Sequence, residues 1–368
     1  MSADPARAAL DARALAWMRE PLETWRCDEA RFTALALDLF AFHFAHCAPY
    51  RRLCERRGRT PDRVAEWREI PAVPAGAFKE MALRSFLAER EAHVFRTSGT
   101  SGERRGALHL DTLEVYEASL LPSFRRGVLP DLAAGQRARI RVLAPSPAET
   151  PDSSLSHMFG VVLRELGDAA SGYDVRRGAL QTDALLRELE TATADGIPVA
   201  LCGTAFALLH LLDALEGRGA RIPLAAGSRV METGGFKGRA RELPRDALYA
   251  AIDHALGVAP ARIVNQYGMT ELGSQFYDSV LSEPALARRK IAPPWTRVRL
   301  IDPETGDDAK PGAPGTVTIF DLANTGSVLA IQTADLGRAI GDGFEVIGRE
   351  PGAEARGCSI AADEMLAR

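Results

Sequence analysis

Three short stretches of this sequence carry residue types and spacings suited to handling phosphate and sugar groups. The first is Thr97-Ser98-Gly99-Thr100-Ser101-Gly102, which follows the apolar pair Val94-Phe95. Glycine permits positive φ and close backbone approach, so the hydroxyls and N–H groups here can wrap phosphate oxygens as a nest. By composition alone the same stretch reads equally as a flexible turn. It is not a Walker A loop, because no Gly-Lys-Ser/Thr follows. It holds no GxSxG elbow for a nucleophilic serine.

The second stretch is Tyr267-Gly268-Met269-Thr270-Glu271, just past the strand candidate Arg262–Gln266. The carboxyl end of a strand is where an open α/β sheet places ligand contacts. A Thr-Glu pair there offers a hydroxyl and a carboxylate, hard oxygen donors suited to Mg²⁺. The third is Thr333-Ala334-Asp335-Leu336-Gly337, followed by Gly348-Arg349. An Asp in a tight, Gly-bounded turn can accept both hydroxyls of a ribose, and an Arg beyond it can donate to the sugar or a phosphate. Taken singly, each of these two also reads as an ordinary turn.

The five cysteines are Cys27, Cys47, Cys54, Cys202 and Cys358. Their odd number, without a CxxC pair, excludes a disulfide framework in a chain of this length and suggests free thiols in a reducing cytoplasm. His43, His46, Cys47 and Cys54 fit an amphipathic core helix better than a metal cluster, since no second pair of ligands follows. Cys358 is different. It follows Gly357 in a tail too short to form a domain, and such a tail can be mobile. Arg356 nearby favours the thiolate.

The elements that must position these residues can be read from periodicity. Residues 1–90 read as helical, with Asp28 capping a helix that Pro49 bends or ends. From about residue 93, strand candidates (Arg139–Leu143, Pro198–Cys202, Arg262–Gln266) alternate with helix candidates. The helix candidates are Thr112–Arg126, Ser154–Leu166, Ala184–Thr191, Phe206–Glu216 and Arg245–Leu256. Alternation of this kind is the mark of a layered α/β fold. After Pro293-Pro294, short strands at Arg297–Ile301, Thr316–Phe320, Val328–Thr333 and Phe344–Ile347 predict a small β-rich subdomain. The domains expected are a helical segment at 1–92, an α/β core at 93–292, the β-rich subdomain at 293–347 and a tail at 348–368.

The chain has 368 residues, with 45 Lys+Arg against 49 Asp+Glu. Near-neutral charge gives no electrostatic case for nucleic acid or an anionic membrane as partner. No apolar run approaches the roughly 18–20 residues of a transmembrane helix, and the N-terminus lacks a signal-peptide core. The expectation is a cytoplasmic protein with no membrane insertion.

In this order, TSGTSG, YGMTE, TADLG and GR resemble the adenylate-forming superfamily of acyl-CoA synthetases, whose forms are approximately TSGTTGxPKG, YGxTE, TGD and GR. More narrowly, the chain resembles the LuxE-type acyl-protein synthetases. The shorter length, TSGTSG itself, Glu232-Thr233-Gly234-Gly235-Phe236-Lys237-Gly238 and Arg356-Gly357-Cys358-Ser359 carry that likeness. It covers roughly residues 90–368. It implies an adenylate-forming α/β domain with layered sheets and helices, a β-rich subdomain, and an absent or truncated C-terminal lid. It also implies ATP and Mg²⁺ as cofactors, a carboxylic (fatty) acid substrate, and an acyl reductase, acyltransferase or carrier protein as partner.

The resemblance further implies residue roles. Thr97, Ser98, Gly99, Thr100, Ser101 and Gly102 would surround the phosphates, Thr270 would meet the α-phosphate and Glu271 would ligate Mg²⁺. Tyr267, with Gly268, would lie against adenine, and Asp335 would hold the ribose with Arg349 beside it. Gly234 and Gly235 would line the nucleotide or acyl pocket. His157, in Ser153-Ser154-Leu155-Ser156-His157-Met158, would stand at the carboxylate end of the acyl pocket, or would simply pack in a helix start capped by a serine. Cys358 would carry the acyl group. Two departures stand out: Glu103-Arg104-Arg105-Gly106 replaces x-Pro-Lys-Gly, and Ala334 replaces a glycine. The alternatives are a CoA ligase resembling phenylacetate-CoA ligases and an inactive nucleotide- or acyl-binding subunit.

Overall fold

A computed structural model describes residues 4–98, 104–234, 243–349 and 364–365. The chain divides into two compact units. One comprises Met1–Pro122, Met269–Gln275 and Lys290–Arg368, and the other Ser123–Gly268 and Phe276–Arg289.

The second unit is an α/β layer. Its strands run in the spatial order Phe276–Asp278, Ile263–Tyr267, Arg229–Thr233, Val199–Thr204, Arg139–Leu143, Gly172–Tyr173. All neighbours pair in parallel except the first two, which are antiparallel. The helices Ser154–Leu166, Thr182–Ala194, Ala205–Gly217 and Arg245–Leu256 supply the crossovers. Leucines at helical spacing (Leu185, Leu189, Leu208, Leu211, Leu215) meet Leu201, Val230 and Ile263 of the strands in one core. Each such side chain contributes about 1.5–3 kcal/mol on burial. Parallel pairing aligns the strands' carboxyl ends, so Thr233-Gly234 and Tyr267-Gly268 emerge side by side.

The first unit joins the N-terminal helices to a mostly antiparallel sheet. That sheet runs Thr296–Ile301, Gly315–Asp321, Ala330–Ile340, Gly343–Arg349, Lys290–Ile291, with Val73–Pro74 added in parallel to Ala330–Ile340. Asp28 caps the helix Glu29–His46 through its side chain. That helix ends before Pro49, which sits in the first turn of the next, Ala48–Arg56. Aromatic edges lock helix to sheet: Phe32 lies 5.5 Å from Trp67, and Trp67 lies 4.8 Å from Phe320.

Three expectations need correction. Residues 57–76 contain no α-helix, so the lead-in is not helical throughout. Thr333–Gly337 is not a tight turn but the middle of the long strand Ala330–Ile340. The tail is not free along its whole length: Glu364 pairs with Arg57 at 2.9 Å, Arg52 donates to the Met365 carbonyl, and Met365 is buried. No single helix among the described residues is long and apolar enough to cross a membrane.

Candidate active site

In the first unit, the strands His93–Arg96 and Ala107–Leu110 form a hairpin whose connection carries the hydroxyl-rich loop. The loop's base is closed twice. The Thr97 N–H donates to the Gly106 carbonyl and the Gly106 N–H donates to Thr97 Oγ1, both at 2.9 Å. Arg105 adds Nε to the Thr97 carbonyl at 2.6 Å, and Arg104 pairs with Glu80 at 3.0 Å. Thr97 is half-buried and Ser98 exposed. Gly99, Thr100, Ser101 and Gly102 lie outside the described residues.

Glu271 arrives at the same place from a distant part of the sequence. A Cβ added at Gly106 would stand 3.2 Å from Thr97 Cγ2 and 3.4 Å from Glu271 Oε1. Gly106, which the sequence reading passed over as part of a departed motif, therefore leaves open the space between the loop base and the carboxylate. Glu271 is only 6% exposed, and Thr270 beside it is half-buried. Among the described residues no three His, Cys, Asp or Glu side chains gather to hold a metal ion. A single buried carboxylate with hydroxyls nearby suits Mg²⁺, which is commonly held by one or two carboxylates together with substrate phosphates. The residues fit that ion.

Asp335 and Arg349 occupy directly opposed positions on neighbouring strands. Arg349 Nε donates to Asp335 Oδ1 at 2.9 Å. The carboxylate is mostly buried and the guanidinium half-exposed. The pair predicted from the sequence is thus brought together, although by strand register rather than by a turn.

In the second unit, Tyr267 ends its strand half-buried, with its ring 6.2 Å from that of Phe276. Thr233 Oγ1 donates to the Gln266 carbonyl at 3.1 Å, fastening the two strand ends. Gly234 follows at φ +72°, a left-handed conformation that glycine adopts without strain, and among the described residues nothing lies within 4 Å of where its Cβ would be. Gly268 is exposed, and Gly235 and Lys237 lie outside the described residues. His157 sits half-buried in the first turn of Ser154–Leu166, and Ser153 caps that helix by accepting from the Ser156 N–H.

Cys358 lies outside the described residues. The other four cysteines are held as thiols. Burial pushes Cys47 up to about 11, and Cys54 and Cys202 up to about 12, while desolvation also raises Cys27. A thiol is a nucleophile only as its thiolate, so the buried Cys47, Cys54 and Cys202 are poorly suited to acyl transfer at neutral pH.

The family model for acyl-protein synthetase, LuxE, matches residues 3–367. A long-chain-fatty-acid–luciferin-component ligase of Vibrio harveyi is 20% identical over 355 residues, covering 94% of this chain and 91% of that protein. Its Aliivibrio fischeri namesake is 24% identical over 333 residues, covering 88% and 83%. A 2-hydroxyisobutyryl-CoA ligase, solved with 2-HIB-AMP and CoA, superposes with a TM-score of 0.65 at 15% identity, covering 90% of this chain and 79% of that one. In its postadenylation state the TM-score is 0.67 at 14% identity, covering 90% and 72%. These structures share the fold.

Proposed function

The chain belongs to the LuxE acyl-protein synthetases, ATP-using ligases that activate a carboxylic acid as an acyl-adenylate and pass the acyl group to a thiol, and we propose how its residues divide that work. Adenylation joins the acid's carboxylate to the α-phosphate of ATP and expels pyrophosphate. The protein has to offset crowded negative charge and hold the carboxylate in line. Thr97 and Ser98, continuing through Gly99, Thr100, Ser101 and Gly102, cradle the phosphates. Thr270 donates to the α-phosphate and Glu271 provides the carboxylate for Mg²⁺. Held there, Mg²⁺ would supply charge neutralisation for the crowded phosphates.

Asp335 accepts the ribose hydroxyls, oriented by Arg349. The family resemblance assigns Tyr267 and Gly268 to the adenine, Gly234 and Gly235 to the nucleotide or acyl pocket, and His157 to the acid's carboxylate. The acyl group then moves to Cys358: the thiolate attacks the acyl carbon, a thioester forms, and AMP leaves with the bonding pair of the mixed anhydride. The burial that holds Cys47, Cys54 and Cys202 as thiols supports this choice. Long-chain fatty acid is the substrate class proposed, because the matched relatives carry that substrate in their names. An acyl reductase, an acyltransferase or a carrier protein is the partner class that would supply or consume such an acyl group.

The observation that carries this reading is the approach of Glu271 to Thr97 and Gly106, which lie far from it in the sequence. Glu271→Gln tests it. A metal-ligating carboxylate is worth several kcal/mol in such a site, so acid-dependent exchange of pyrophosphate into ATP falls on the order of a thousandfold while the fold survives the near-isosteric change. Exchange at the wild-type rate with limiting Mg²⁺ contradicts the assignment.

A further inference from the structure

The turn bearing Thr270 and Glu271 has no ladder of its own. Residues 268–275 lie outside helix and strand, and within them the Leu272 N–H donates to the Met269 carbonyl at 3.2 Å. Buried backbone groups need partners, and the Glu271 carbonyl finds one outside the turn.

We infer that Asn324 is a positioning residue for the catalytic turn, pinning the main chain of Glu271 through its side-chain amide. Asn324 Nδ2 donates to the Glu271 carbonyl at 3.0 Å and to the Val328 carbonyl at 3.2 Å, and the residue is 2% exposed. Two carbonyls on one amide nitrogen require a two-hydrogen, uncharged donor, which Asn supplies and Asp cannot. The approach is close: a Cβ at Gly273 would meet Ala323 Cβ at 2.7 Å and Asn324 Oδ1 at 3.0 Å. Two residues beyond Glu271's neighbour, Ser274 Oγ donates to the buried Asp321 at 2.7 Å.

The pin is itself fixed. Arg7 Nη2 donates to Thr325 Oγ1 at 2.9 Å, and His43 Nε2 lies 3.1 Å from the Thr325 carbonyl. Ser327 Oγ donates to the Leu83 carbonyl at 2.6 Å. Burial holds His43 neutral, near pKa 3, so it serves as a hydrogen-bonding strut. The N-terminal helices thereby brace the loop that holds Glu271.

This inference rests on Glu271 being the adenylation carboxylate. The test compares purified Asn324→Ala and Asn324→Asp with Tyr50→Phe, which removes a buried bond (Tyr50 hydroxyl to the Pro71 carbonyl, 2.9 Å) that involves neither the turn nor Asn324. The readouts are kcat and ATP KM in pyrophosphate exchange, AMP affinity by calorimetry, and melting temperature. A displaced reacting group costs up to about a hundredfold per ångström, so the Asn324 variants should lose at least about tenfold in kcat. AMP affinity should stay within about twofold, since Asp335 is held separately. Tyr50→Phe should lose melting temperature but keep kcat. Wild-type kcat in either folded Asn324 variant, or an equal kcat loss in Tyr50→Phe, overturns the inference. An inactive Glu271→Gln beside active Asn324 variants sinks this inference alone, whereas an active Glu271→Gln sinks the underlying reading and this one with it.

Discussion

Replacing Gly106 with alanine separates the site's chemistry from the fold's stability. The new methyl would stand 3.2 Å from Thr97 Cγ2, 3.4 Å from Glu271 Oε1 and 3.6 Å from Thr97 Oγ1. The first distance is tighter than ordinary packing, so a neighbour gives way by a few tenths of an ångström. Overpacking of this kind costs about 1 kcal/mol or more. Glycine-to-alanine also restricts the unfolded chain, returning about 0.4–1 kcal/mol. The net change in stability is therefore small, within a few degrees of melting temperature. The site fares worse, because the methyl fills the space between the loop base and the carboxylate. A shift of a few tenths of an ångström, scaled from about a hundredfold per ångström, gives a kcat loss of about three- to tenfold, and blocked ligand space adds to it. Pyrophosphate exchange measured beside thermal melting checks both parts. Wild-type exchange in Gly106→Ala would refute the claim that Thr97 and Glu271 act across this gap. Loss of activity in proportion to loss of folded protein would refute the claim that the effect is local.

Two further outcomes follow from charged groups in the first unit. If Asp335 holds the ribose as proposed, Asp335→Ala removes that acceptor, at about 1.5–3 kcal/mol, and AMP binding by calorimetry weakens about ten- to hundredfold; unchanged affinity would reduce Asp335 to a strand residue. Asp321 is buried, and desolvation pushes its pKa up to about 6 despite hydrogen bonds from Ser274 and Ala323. The folded state thus holds this proton more tightly than the unfolded chain, and stability present at pH 4 is lost as pH rises through about 6, by about 3 kcal/mol. Asp321→Asn should flatten that part of the stability profile in thermal melts, and identical profiles for the two proteins would count against it.

Local signals in the sequence recovered much of the frame. Ser153 and the apolar spacing after it gave the helix Ser154–Leu166 with its observed bounds, and Gly257, at φ +64°, stops Arg245–Leu256 where the periodicity ended. Residue types and spacing picked out the three motifs, the family resemblance supplied their roles, and the structure brings Glu271 to Thr97 and Asp335 to Arg349. The misreading of Thr333–Gly337 has a physical cause. Gly337 looks like turn punctuation, but it lies in a strand because Val317 Cγ2 would stand 2.8 Å from any Cβ there, beside a register shift at Leu336–Gly337. Glycine in a strand marks close approach as readily as it marks a turn. Asn324 escaped notice because its partners, Glu271 and Val328, share no periodicity with it. The one local cue was the cluster Asp321, Asn324, Thr325 and Ser327 between apolar strands, polar residues that need partners once buried.

The measurement that bears most directly on the whole account is acyl labelling of the wild-type protein and of Cys358→Ser with radiolabelled long-chain acid and ATP. Pyrophosphate exchange is followed in the same preparations. The account predicts that both proteins exchange pyrophosphate and that only the wild type accumulates label released by neutral hydroxylamine, the behaviour of a thioester. Full hydroxylamine-labile labelling of Cys358→Ser would contradict it, and the acceptor thiol would then have to be sought on another cysteine, on CoA or on a partner protein.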